Sequence, residues 1–329
     1  MRAALSPLVV CVVATLGNGV APLCLLRADS PVVIEPRAGK TRSGGAPRAY
    51  NLSVESNLVL IPVTVTDSLN HVVLGLEKER FRLFEDDQPQ QILTFSCEDA
   101  PVSVGLVLDW SGSMKDKVER SLQAVTEFLR LANSQDEFLL IQFNDTARLV
   151  QPFTTNTREL ENSLTAMLPK GGTALLDSVY RATLEMQKGR NPRKALLLIS
   201  DGGDNHSRYG AREIKGLIRE SDVQVYAIGV YGSVAERLKF PEQLAGPRLL
   251  QWIARETGGR HYAIGNIDEL PEVSAGIGLQ LRNQYILGYC SRSPHRDGKY
   301  RRVRVKVDRP PGSPPLRVTW RSGYREPSN

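Results

Sequence analysis

Apolar positions fall into two rhythms along the chain. Between residues 102 and 283, continuous apolar runs alternate with stretches spaced at the helical period. Val102–Asp109, Phe138–Phe143, Ala195–Ser200 and Val223–Val230 are runs of the kind that lie buried on both faces of a parallel sheet. Lys115–Asn133 instead carries Val118, Leu122, Val125 and Leu129 on one helical face. Helical patterns also cover Thr157–Leu168, Ala174–Gln187, Ala211–Glu220, Leu249–Glu256 and Ile267–Asn283. His261–Ile264 reads as a short strand, and Ala147–Phe153 as a hairpin partner for Phe138–Phe143. Strand and helix in alternation predict an α/β fold, a doubly wound and mostly parallel sheet with helices on both faces.

The flanks keep the two-residue rhythm of strands. Leu58–Asp67 alternates, Phe81, Leu83 and Phe84 run into a turn at Glu85-Asp86-Asp87-Gln88, and Gln91–Ser96 is a third candidate. Gln284–Tyr289 follows the last helix. In Tyr300–Asp308 the residues Val303, Val305 and Val307 share one face, with Arg302, Arg304 and Lys306 on the other. Leu316–Trp320 resumes after a proline break. Neither flank has enough strands to be stable alone, so the two are expected to pair into one small accessory β-domain. The expected organisation is a leader over 1–28, a linker over 29–56, a β segment over 57–100, the α/β domain over 101–284, and a second β segment over 285–325.

Composition adds little about class: 41% apolar and 24% charged residues among 329 suit a globular protein. The formal charge of +6 is local. Residues 291–329 hold eleven Lys and Arg against three Asp and Glu, so the remainder is slightly acidic. The alternation of these cations with valine reads as the solvated face of a strand, charged to discourage edge pairing, and no nucleic-acid partner is expected. Arg2, the apolar stretch Leu5–Leu26 and small residues near Ala28 resemble a secretory signal peptide, which implies secreted or periplasmic location. An uncleaved membrane anchor is the alternative. Once the leader is removed, Cys97 and Cys290 remain, at the entrance and exit of the α/β region. In an exported chain they suggest a disulfide, with two unpaired thiols as the alternative.

Candidate chemistry collects where strands end. The first buried strand closes in Asp109-Trp110-Ser111-Gly112-Ser113, the third in Ser200-Asp201-Gly202-Gly203, and Gly171-Gly172-Thr173 lies between them. Ligands of open α/β sheets bind beyond the carboxyl ends of the strands. The triplet Asp109, Ser111 and Ser113 alone could be helix capping. With Thr173 and Asp201 it makes an all-oxygen set suited to a hard cation, Mg²⁺ with Mn²⁺ or Ca²⁺ as alternatives. Two carboxylates barely neutralise such an ion, which leaves it able to accept an outside anion. Asp204 and Asn205, beside the set, read as solvent-facing rim residues, with support of the ligands from behind as the alternative.

These five residues resemble the metal-ion-dependent adhesion site of von Willebrand factor type A domains, and the likeness covers about Val102–Asn283. The resemblance implies that Ser111, Ser113 and Thr173 ligate the ion directly and that Asp109 and Asp201 do so directly or through water. Phe81–Pro89 and Leu281–Tyr289 are similar to segments of exported bacterial proteins containing this domain. Trp110 is larger than the residue often found at its place, which implies a changed approach for a partner. The function expected is exported, metal-dependent binding, for adhesion or scaffolding, of a protein that offers a carboxylate.

Catalysis is not expected. No His-Glu-x-x-His helix, Gly-x-Ser-x-Gly elbow or phosphate-binding Gly-x-x-x-x-Gly-Lys loop occurs. A Mg²⁺-dependent phosphohydrolase would want a second carboxylate where Ser111 stands and an evident base. The alternatives kept are a scaffold with a purely structural metal and, behind it, that phosphohydrolase. No small-molecule substrate is expected, and membrane contact only if the leader is retained.

Overall fold

A computed structural model describes residues 58–164, 169–232, 241–291, 298–312 and 314–326. The leader over 1–28 and the linker over 29–56 lie outside the described residues. Among the described residues no helix is long and apolar enough to cross a membrane.

The doubly wound arrangement is present. Four strands, β5 (Val102–Asp109), β6 (Glu137–Phe143), β8 (Arg193–Ser200) and β9 (Val223–Val230), are parallel. β10 (His261–Ile264) adds in parallel at one edge, and β7 (Ala147–Thr154) closes the other edge antiparallel to β6, giving the order β10-β9-β8-β5-β6-β7. Every residue of β5, β6 and β9 is buried, which is why these strands read as unbroken apolar runs. Their side chains divide between two cores. Leu106, Leu108, Leu140, Leu197 and Ile199 pack with α1 (Val118–Leu129), α2 (Thr157–Ser163) and α6 (Leu270–Arg282). Leu139, Ile141, Leu196 and Leu198 face the other way, toward α3 (Leu175–Met186), α4 (Ala211–Glu220) and α5 (Pro241–Glu256). Each such fully buried leucine contributes roughly 1.5–3 kcal/mol relative to exposure. The first expected helix begins instead as a 3-10 turn, Gly112–Lys117, and becomes α-helical only at Val118.

The accessory β-domain is two four-stranded sheets built from both flanks. One has the order β13 (Arg317–Trp320), β1 (Leu58–Thr66), β11 (Tyr285–Cys290), β4 (Thr94–Ser96). The other runs β14 (Gly323–Arg325), β12 (Tyr300–Val307), β2 (Phe81–Glu85), β3 (Gln88–Gln90). Amino- and carboxyl-terminal strands adjoin in each sheet, so neither flank can make its sheet alone. Ile61, Val63, Leu83, Tyr289, Val303 and Val305 fill the core between the sheets. β2 and β3 are joined by Asp86 and Asp87, at φ 45° and 66°, the left-handed pair a two-residue hairpin requires. Below them the Glu85 carboxylate is buried but accepts from Tyr289 Oη, Tyr324 Oη and Ser291 Oγ, at 2.7, 2.8 and 2.6 Å.

Two expectations fail here. β12 is an inner strand, between β14 and β2, so its cations do not guard an edge. Arg304 and Lys306 instead lie over the Phe84 ring at 4.7 and 5.8 Å. Cys97 and Cys290 are free, exposed thiols rather than a disulfide. Register explains this. Ser96 stands opposite Ile286, so the register carries Cys97 toward Tyr285, five residues from Cys290 along β11. That is about 17 Å, more than twice the Cα separation a disulfide spans.

Candidate metal centre

The five candidate residues sit at the carboxyl edge of the parallel strands. Asp109 is the last residue of β5, and Asp201 directly follows β8, the strand beside it. Both carboxylates are buried, at 1% and 2% exposure, as are Ser111 and Thr173 at 1% and 5%. Asp109 accepts from Ser111 N at 2.9 Å through Oδ1 and from Ser200 Oγ at 2.6 Å through Oδ2. The Ser111 and Ser113 hydroxyls stand 3.1 Å apart. Neither serves as a helix cap. Ser111 precedes the 3-10 turn without a side-chain capping bond, and Lys117, before α1, supplies none either. Capping is therefore not what these hydroxyls do.

Three loops are tied together around them. Gly112 N donates to Gly171 O at 3.1 Å and Lys170 N to Trp110 O at 3.0 Å, which fixes the Thr173 loop against the Asp109 loop. From the β8 side, Asn205 Oδ1 accepts from Thr173 N at 2.8 Å, while Asn205 N and His206 N donate to Thr173 O at 3.0 and 3.1 Å. Gly171 takes φ +80°, and a Cβ there would meet the Asp145 carboxylate, which accepts from Gly172 N at 2.5 Å. Gly202, also at +80°, lets the Asp201 loop lie on Gly246 of α5, whose Cα would be 2.6 Å from an added Cβ.

The carboxylate pair carries the electrostatics. Burial, and then the charge of Asp201, push Asp109 up to about 7, against hydrogen bonds from Ser111 and Ser200 that lower it. Two like charges held this close in a dry site favour a proton or a cation between them. Among the described residues no three His, Cys, Asp or Glu side chains converge at metal-ligand spacing, so an ion here would need the hydroxyls of Ser111, Ser113 and Thr173. No described group hydrogen-bonds the Thr173 hydroxyl. An oxygen-only set of two buried carboxylates and three hydroxyls fits a hard divalent cation.

Residues 104–203 match the profile of the von Willebrand factor type A domain family. The α/β part has a von Willebrand factor type A-like fold. Solved structures similar to the chain include BatB, a conserved hypothetical protein of Bacteroides thetaiotaomicron, at 19% identity over 54% of this chain and 98% of that one, TM-score 0.43. A von Willebrand factor type A protein from Catenulispora acidiphila is similar at 13% identity over 83% and 74%, TM-score 0.47. Proximal thread matrix protein 1 of the mussel byssus is similar at 18% identity over 60% and 51%, TM-score 0.48. No curated protein sequence matches the chain.

Three readings of the type A-like site change. Trp110 is 1% exposed and packs in the core with Leu108 and Met114, so it does not meet a partner. Asp204 and Asn205 are not mere rim residues: Asp204 Oδ1 accepts from Leu175 N at 3.0 Å at the start of α3, and Asn205 holds Thr173. Ser200 and Asp145 escaped notice in the sequence. Ser200 stands directly before Asp201 and could have been weighed with it, whereas nothing local marks Asp145, which reaches Gly172 from another loop.

Proposed function

We propose that the chain is an exported protein-binding module that captures an acidic residue of a partner protein through a divalent cation, Mg²⁺ first among candidates. A von Willebrand factor type A domain is typically a protein-interaction or adhesion module, and residues 104–203 match that family. The observation that supports the metal-dependent reading is the buried Asp109–Asp201 pair with the Ser111 hydroxyl against Asp109 and the Ser113 hydroxyl beside that of Ser111. Bound there, a divalent cation supplies a Lewis-acidic position open to a carboxylate from outside. The chain's own part is to hold the Ser111 hydroxyl against Asp109, fix Asp109 through Ser200, and keep the Thr173 loop in place through Asn205. The role proposed for the site is to hold a partner, not to turn over a substrate. Export rests on the leader-like residues 1–28.

A scaffold with a structural cation is the second reading. The burial that raises Asp109 favours it, because an ion would stabilise the fold with or without a partner. A pull-down from extracellular or periplasmic material separates the two. Retention that needs Mg²⁺, and is lost with chelator or Asp109→Ala, supports capture. Equal retention in all three conditions contradicts it, and a loss of thermal stability on chelation with unchanged retention favours the scaffold.

A further inference from the structure

The opposite end of the α/β sheet carries a second site. A cleft of about 710 Å³ opens between the amino-terminal ends of the parallel strands and the accessory β-domain. That volume lies in the range of small-molecule sites, which favour junctions of this kind. Its apolar wall is the outward face of β1 with its neighbour on β11: Leu58 and Leu60, 42% and 51% exposed, beside Pro62 and Ile286. Two large leucines open to solvent on one strand face are costly to leave uncovered.

The charges facing this wall do not balance. Three carboxylates line the cleft and each already has an arginine: Asp222 pairs with Arg321, Glu220 with Arg325, and Glu326 with Arg301. Two cations remain. Among the described residues Lys194 donates only to the Gln187 carbonyl, at 3.4 Å. Arg193, largely buried, spends its guanidinium on neutral acceptors, the carbonyls of Ala100 and Leu281 and the amide of Gln284, and its Nε has no partner. Asp99 and Asp136, the acids whose charge reaches it, both pair with Arg282, so these two arginines and two carboxylates balance, and what Arg193 lacks is an acceptor for its Nε. A buried N–H without an acceptor is unfavourable unless a ligand completes it, and Lys194 beside it has no carboxylate among the described residues.

We propose that this cleft binds a single-chain amphiphile with an anionic head, of the class of a medium-chain fatty acid. The alkyl chain lies along Leu58, Leu60 and Ile286, and the carboxylate sits by Arg193 and Lys194. The ligand is held without reaction, at the far end of the sheet from Asp109 and Asp201.

The test is a fluorescence titration of the full chain with dansylaminoundecanoic acid, competed with decanoate and with decanol. The expected result is saturable binding of one probe per chain, displaced by decanoate and about tenfold or more less effectively by decanol, since a charge-assisted bond is worth at least that factor. Leu60→Asp abolishes binding and Lys194→Glu weakens it by roughly tenfold. Both positions are solvent-facing, and circular dichroism checks the fold; should Leu60→Asp fail to fold, Lys194→Glu decides. Absence of saturable binding, equal competition by decanol, or native affinity in folded Lys194→Glu overturns the proposal.

Discussion

The two ends of β8 differ in the charge they leave uncompensated. Arg193 opens the strand and Asp201 follows its last residue, about 26 Å apart along the chain. Between them Ala195–Ile199 are wholly apolar and buried. At the carboxyl end two carboxylates are buried together, and at the amino end, among the described residues, the buried Arg193 Nε lacks an acceptor and Lys194 lacks a carboxylate. One parallel strand, flanked by equivalent apolar neighbours, thus ends in sites of opposite sign. The comparison teaches where such a sheet can keep charge: not in its interior, but at the strand ends, where loops supply polar groups and a ligand can supply the counter-charge.

The largest effect that would sharpen this contrast is the pH response of the metal-free chain. Asp109 holds its proton up to about 7 when folded, against 3.8 for the ordinary group. Between those values the folded state binds more protons than the unfolded one, so stability falls as pH rises from about 4 to about 7 and stays lower above. The expected loss is a few kcal/mol at most, read by thermal melts in chelator across that range. Asp109→Asn should flatten the curve, as should saturating Mg²⁺; a native curve that rises through the same window would break the account. Next is Ser200→Ala, which frees Asp109 Oδ2 and should weaken metal binding by roughly ten- to a hundredfold, the usual cost of losing a group that orients a ligand. Titration calorimetry checks it, and an unchanged affinity would show that Ser200 does not orient Asp109.

Gly171→Ala forces a left-handed position and crowds Asp145, so it should cost about 1–2 kcal/mol and loosen the Thr173 loop. Chemical denaturation with and without Mg²⁺ measures both effects. The smallest effect belongs to the other end. Cys97→Ser should alter stability by less than about 0.5 kcal/mol with or without reductant, because no disulfide is lost. Alkylation of both cysteines without prior reduction, seen by mass spectrometry, is the companion result, and a linked peptide would contradict the register of β4 on β11.

Much of this fold was legible because burial on both faces leaves a plain mark. The runs at Val102–Asp109 and Val223–Val230 have the same limits in sequence and structure, and the alternation of β12 puts Val303 and Val305 inward as expected. What escaped depends on which strands adjoin. β3 and β14 are three residues each, too short for any rhythm. The inner place of β12 and the separation of Cys97 from Cys290 follow from pairing across more than 190 residues, which no local pattern encodes. At the metal centre, residues on the motif loops were visible, while Asp145 and the clamping role of Asn205 arise only when loops meet. The cleft at Arg193 was invisible for the same reason, since its wall comes from β1 and its cations from β8.

Whether Asp109, Ser111, Ser113, Thr173 and Asp201 form one divalent-cation site is decided by calorimetric titration of the full chain with Mn²⁺, repeated on Asp201→Ala. One ion should bind per native chain, with an affinity at least about a hundredfold lower in the variant. Native chain that takes up no ion, or a variant that binds it equally well, would contradict it.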